Sequence, residues 1–234
     1  MAGGRAAQLV AVTCHEWYLG AMKFEELLQA VGEEPLFESG LLLAGNVDPA
    51  DVQRQLSRWA DAGKLLQMRR GLYALAPPYR KTHPHPFLVA NHLVRGSYVS
   101  LQSALSHYGL IPEGVPVTTS VTTGRPGNWR TPLGIYDFRH IQADLLTGYR
   151  RIPVAAGQEA FVATPEKALL DLIYLEPGAD DPSYLGELRL QHLDRTDLES
   201  LASQAAAAGR PKLVRAAEWI IRQAAVDALE YETL

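Results

Sequence analysis

Residues 56–77, "LSRWADAGKLLQMRRGLYALAP", decide how the first third of this chain reads. A helical pattern runs to Gly63, where glycine stops it. Two short apolar runs, "KLLQM" and "LYALA", follow with Arg69, Arg70 and Gly71 between them. Strand-like runs flanking a glycine turn predict a hairpin, closed by Pro77-Pro78. The question is why a chain of net charge −4 sets two arginines at that tip.

Upstream, "NVDPADVQRQLSRWADAG" carries a strong helix start. Asp48 can accept from the free amides, Pro49 suits the first helical position, and Asp51 completes a capping-box-like arrangement. On a wheel of about 100° per residue, Val52, Leu56 and Trp59 fall within about 40° of one another and form a stripe for burial. Ala50, Arg54, Ser57, Arg58 and Asp61 fall opposite, with Gln53 and Gln55 flanking. Further upstream, "EWYLGAMKFEELLQAVG" spaces Leu19, Met22, Leu27, Leu28 and Val31 as an amphipathic helix before Gly32, and "EPLFESGLLLAG" reads as a second, shorter helix. Three helices and a hairpin, in that order, predict a winged helix-turn-helix over residues 1–78.

Arg, Gln and Ser are side chains that reach phosphates and base edges in a major groove. The expected DNA-binding set is therefore Gln53, Arg54, Gln55, Ser57 and Arg58 on the third helix, with Lys64, Arg69 and Arg70 on the hairpin. Taken singly, an arginine on an outer helix face or at a turn is ordinarily just solvated. Their adjacency, on a capped helix and the hairpin beside it, favours double-stranded DNA. Charge is distributed accordingly: residues 44–81 sum to +4 and 82–151 to +3, while 1–43 sum to −4 and 152–234 to −7.

The proline-rich segment "APPYRKTHPHP" predicts an extended linker over residues 79–86. Residues 87–234 then read as a mixed α/β domain, so the expected fold class is α+β. "FLVANHLVRG" predicts a helix, "SYVSLQSALSHYGLIPE" a strand and a helix from Ser100 to Tyr108, and "VPVTTSVTTGRPGNWRTPLGIYDFRHIQ" a short sheet. "AGQEAFVATPEKALLDLIYLE" predicts a strand, a Thr164 cap with Pro165, and a helix with Leu169, Leu170, Ile173 and Tyr174 on its apolar face. Glu166 favours the positive helix end, and Lys167 and Asp171, four apart, can pair for a few tenths of a kcal/mol. Helices near 194–207 and 211–229 end the chain.

Arg125, Arg130 and Arg139, with Trp129 between two of them and Lys167 beyond, form a possible second patch for nucleic acid or for an antitoxin role. His83 and His85 have no third ligand nearby, so no metal or cofactor is expected. His107 and His140 read as packed single histidines. No phosphate loop, nucleophile elbow or zinc-protease helix occurs, which points away from an enzyme. One cysteine, Cys14, excludes an internal disulfide, no run reaches a membrane span, and the first residues lack the charge of a signal peptide. A soluble cytoplasmic protein is expected.

"LSRWADAGKLLQMRRGLYALAP" resembles the winged-helix segment of the AbiEi family, the antitoxin and transcriptional regulator components of type IV abortive-infection toxin–antitoxin systems. "YVSLQSALSHYGLIPE", "TTSVTTGRP" and "ATPEKALLDLIYL" are similar to that family's successive signatures, in the same order, so the likeness spans about residues 20–180. It implies a DNA-binding antitoxin that represses its own operon and counters a nucleotidyltransferase-like toxin without a stable complex. Alternatives are a stand-alone regulator, a protein-interaction module using the acidic C-terminal part, or an enzyme built on Glu166, Lys167 and Asp171.

Overall fold

The computed structural model describes residues 22–43 and 48–232, with side chains described through residue 226. Cys14 and Leu19 lie outside them. The first helix, α1 (Phe24–Val31), buries Phe24, Leu27 and Val31. The Glu26 carboxylate accepts from the Lys23 backbone N–H at 2.7 Å. Gly32, with φ of 61°, ends it as its N–H donates to Leu28 O.

The expected second helix is replaced by extended chain. Residues 37–38 form strand β1 (Phe37–Glu38), and only one 3-10 turn, Ser39–Leu42, follows. Tertiary pairing overrides the local pattern: Phe37 lies opposite Tyr73, their rings stack at 5.8 Å, and Ser39 N–H donates to Gly71 O. Helix α2 (Pro49–Asp61) forms where expected and buries Val52, Leu56 and Trp59. Asp48 caps it by accepting from Ala50 N–H at 2.8 Å. Asp51 completes no capping box, because its carboxylate pairs instead with Arg54 one turn on.

The hairpin is β2 (Leu65–Arg69) and β3 (Leu72–Leu75), turning at Arg70-Gly71 with Gly71 at φ of 81°. Gln67 faces Tyr73 but Arg69 faces Leu72, so Met68 is an extra residue that bulges into the core. Strands run in the order β1-β3-β2, and all four residues of β3 are buried. Tyr73 and Leu75 pack with Leu27, Leu56 and Trp59. Leu72 and Ala74 alternate to the other face and belong to the core of the rest of the molecule, with Val89 and Leu93. At about 1.5–3 kcal/mol for a fully buried Leu, this shared core ties the two parts together.

The expected linker is docked rather than free. Tyr79 packs edge-on against Phe24 at 4.8 Å. Gln158 clamps the next residues: its side-chain oxygen accepts from His85 N–H at 2.8 Å and its amide donates to His83 O at 2.9 Å.

Beyond it come α3 (Pro86–Leu93), β4 (Ser97–Val99), α4 (Leu101–His107), β5 (Val117–Thr122), β6 (Gly127–Thr131), β7 (Gly134–His140), β8 (Tyr149–Ala155), β9 (Gln158–Ala163) and α5 (Pro165–Leu175). The six strands form one mixed sheet in the order β6-β7-β5-β4-β9-β8. β4 pairs antiparallel with β5 and parallel with β9. Three helices close the molecule: α6 (Pro182–Glu187), α7 (Leu198–Ala207) and α8 (Pro211–Glu232). The expected start at 194 moves to Leu198 because Asp197 caps there, accepting from Ser200 N–H at 2.9 Å. Helix α6 lies outside the expected elements, although Asp181-Pro182 repeats the Asp-Pro start of α2. The fold is mixed α+β, and no helix among the described residues is long and apolar enough to cross a membrane.

Candidate nucleic-acid interface

Helix α2 presents Arg54, Ser57 and Arg58 to solvent, opposite its buried stripe. Arg54 is ion-paired with Asp51, both more than 60% exposed. Arg58 has no ion pair among the described residues. Gln55 is half-buried at the edge, and Gln53 donates its amide to Tyr73 Oη at 3.1 Å. Gln53 is thus a brace between helix and sheet.

The hairpin arginines have opposite fates. Arg70 is exposed at the turn. Arg69 folds back and donates from Nη2 to His92 O at 3.1 Å and from Nη1 to Arg70 O at 3.1 Å, with Glu38 at 3.8 Å. It joins β2 to α3 and β1, leaving 26% of its side chain exposed. Glu38 also pairs with Arg95. The Lys64 ammonium sits 4.6 Å from the Phe24 ring centroid, a cation–π contact at the base of the hairpin. Of the eight residues expected to meet DNA, Arg54, Ser57, Arg58 and Arg70 stand on the surface. Gln53, Lys64 and Arg69 are held by the fold.

The second expected patch separates into two places. Arg125 and Arg130 are exposed, on the turn before β6 and on β6 itself, where Trp129 is 37% exposed. β6 is an edge strand that packs beside β2. Arg139, on β7, instead pairs with Glu176 at 3.1 Å beyond the end of α5. Lys167 lies inside the protein.

That interior site is the polar centre of the molecule. Lys167 Nζ donates to Asp171 Oδ1 at 2.6 Å, and both side chains are buried, at 6% and 0% exposure. Asp171 Oδ2 accepts from Ser100 Oγ at 2.7 Å and Tyr98 Oη at 3.0 Å. Burial pushes the Asp171 carboxyl above its ordinary value, while Lys167, Ser100 and Tyr98 pull it back. Burial, with Asp171 beside it, pushes the Tyr98 phenol far up. Glu166 stands in the first turn of α5, as expected, and its carboxylate also accepts from Asp197 N–H at 2.9 Å, ahead of α7. Thr164 does cap α5, accepting from Lys167 N–H at 3.3 Å.

Helix α5 is buried from Glu166 to Ile173 on every side, beyond the single apolar face expected, because α4, α7 and α8 surround it. Segments 98–113, 118–126 and 163–175 therefore meet: β4 lies between β5 and β9, and Tyr98 and Ser100 bond α5. The histidines serve locally. His85 Nδ1 accepts from Phe87 N–H, and His107 packs on Phe87 and Tyr108. Among the described residues no group of three His, Cys, Asp or Glu could hold a metal ion.

No protein-family model matches this chain, and no curated protein matches it.

Proposed function

We propose that the chain is a DNA-binding transcriptional regulator, with a winged helix-turn-helix at its N-terminal end and α2 as the helix that enters the major groove. Helix α1, α2 and the β2–β3 hairpin follow one another as the first helix, third helix and wing of such a module would, with strand β1 and a 3-10 turn where its second helix is expected. One observation carries the reading: Arg54, Ser57 and Arg58 stand exposed on a capped helix, with Arg70 exposed on the hairpin beside it. Arg58 and Ser57 would contact bases or phosphates, Arg70 the backbone or minor groove, and Arg54 would exchange Asp51 for a phosphate. Arg125 and Arg130 on the neighbouring β6 would extend the contact along the duplex.

The setting we favour is an autorepressing antitoxin of a type IV system, acting in the cytoplasm against a nucleotidyltransferase-like toxin. Its support is the likeness of residues 98–113, 118–126 and 163–175 to the AbiEi signatures, and a toxin-like reading frame beside the gene is its expected companion.

A gel-shift titration against DNA upstream of the gene, at two salt concentrations, tests the regulator. Selective binding should weaken by about 1–3 kcal/mol in Arg58→Ala, and Arg70→Ala should lower the salt slope by about 1. Binding indifferent to Arg54, Arg58 and Arg70 together would remove α2 and the hairpin from the interface.

A further inference from the structure

Residues 79–86 form a strap from the hairpin to α3, and His85 near its end is held in three ways. Its backbone N–H donates to the Gln158 side chain at 2.8 Å. Its ring packs edge-on against Phe87 at 4.9 Å. Its Nδ1 accepts from Phe87 N–H at 3.2 Å and so caps α3. Pro86 has no N–H, which makes Phe87 N–H the first free amide of that helix. The usual caps are Ser, Thr, Asn and Asp. A histidine can stand in for them only while Nδ1 carries no proton.

The groups facing His85 do nothing to keep a proton on it. From α4 comes His107, packed on the other side of Phe87 at 5.5 Å. Strand β9 presents Gln158, which is neutral, and the neighbouring Glu159 is paired with Arg151. The strap itself brings His83, whose Nδ1 lies 3.0 Å from Pro84 O, and Lys81, which pairs with Glu33 at 3.9 Å. Burial pushes His85 below its ordinary value of about 6.5, and His107 pushes it the same way. Protonation would set a ring N–H against the Phe87 N–H and a positive charge against the positive end of α3.

We propose that His85 is a pH-sensitive latch, which caps α3 and holds the strap when neutral and releases both when protonated. The latch acts on the seat of the hairpin. Helix α3 carries Val89 and Leu93 into the core shared with Leu72 and Ala74, and its His92 O accepts from Arg69. The inference does not rest on the DNA-binding reading.

Because the released form takes up the proton more readily, the latch is closed above pH of about 6.5. Opening then becomes easier by about tenfold per pH unit, down to the lowered value of the closed form. The test is NMR hydrogen exchange of the His85 and Phe87 amides in the full-length protein from pH 5 to 8, each rate divided by that of an unstructured chain at the same pH. The ratio should be flat above pH of about 6.5 and rise below it, while the Leu170 amide in α5 keeps its protection. His85→Asn supplies an acceptor that does not titrate, and should stay protected throughout. The His85 ring proton shift, read in the wild type, should titrate below about 6.5 and in step with the exchange, which decides the matter should His85→Asn fail to fold. A ratio at Phe87 indifferent to pH, a rise that survives in His85→Asn, an equal rise at Leu170, or a ring titrating above 6.5 would each overturn the latch.

Discussion

Removing Lys167 should cost far more than its place in an i,i+4 pair suggests. On an exposed helix such a pair contributes about 0.2–0.5 kcal/mol. Here the lysine side chain is 6% exposed and its aspartate 0%. Lys167→Met retains most of the packed stem but strands the carboxylate, and breaking a buried pair from one side costs about 3–5 kcal/mol. With a urea m-value near 3 kcal/mol/M, the midpoint should fall by about 1 M or more.

The loss should also depend on pH, with a definite sign. Burial raises the folded Asp171 carboxyl above its ordinary value, and Lys167 is the largest of the influences that lower it. Without Lys167 the folded value rises further, so the folded state holds a proton the unfolded chain has released. Stability then falls as pH rises, by about 1.4 kcal/mol per unit between the unfolded carboxyl value and the raised folded one. Urea unfolding of wild type and Lys167→Met, followed by circular dichroism at pH 5, 6, 7 and 8, reads both effects. The deficit should be smallest at pH 5. Lys167→Met/Asp171→Asn should recover at least half the loss and remove the added slope. A loss under about 1 kcal/mol with the wild-type slope would mean water reaches the pair, and would refute the argument.

Neighbouring hairpin arginines should separate stability from surface chemistry. Arg69→Ala should destabilise by about 1.5–3 kcal/mol, since a charged donor leaves His92 O, while Arg70→Ala should change unfolding by under about 0.5 kcal/mol. Equal losses in thermal melts would show that the fold does not distinguish them. Gln158→Ala removes both bonds to residues 83 and 85 and should cost about 1–3 kcal/mol. It should also speed tryptic cleavage at Arg80 and Lys81, and unchanged cleavage would show that the segment is held elsewhere.

Where a local rule and a buried face agree, the sequence is legible. Asp48-Pro49 and the stripe of Val52, Leu56 and Trp59 specify α2, and Gly71 between two apolar runs specifies the hairpin turn. Thr164-Pro165 likewise places the start of α5. The segment "EPLFESGLLLAG" reads locally as a helix, whereas β1 within it exists only through its pairing with β3, some 35 residues away, and no local pattern encodes a distant partner. Burial of β3 on both faces was partly legible: "LYALA" has no alternation of polar residues, which is the pattern of a strand covered on two sides. That pattern also says why the hairpin cannot stand apart from the second half of the chain.

The functional residues show a sharper limit, because charge on a helix or turn does not reveal where the charge goes. Arg69 and Arg70 are adjacent and identical in type, yet one spans to His92 and Glu38 while the other faces solvent. The difference follows from the bulge at Met68, which shifts the register so that Arg69 pairs with Leu72 beside β1 and α3. Lys167 and Asp171 pose the same problem in reverse. Their four-residue spacing is visible, but its weight comes from α4, α7 and α8 closing around α5, and from Tyr98 on β4 and Ser100 just beyond it. An i,i+4 pair becomes the polar centre of the protein only once the sheet has placed β4 beside β9. Its energy therefore belongs to the topology, and Lys167→Met probes the sheet order as much as the helix.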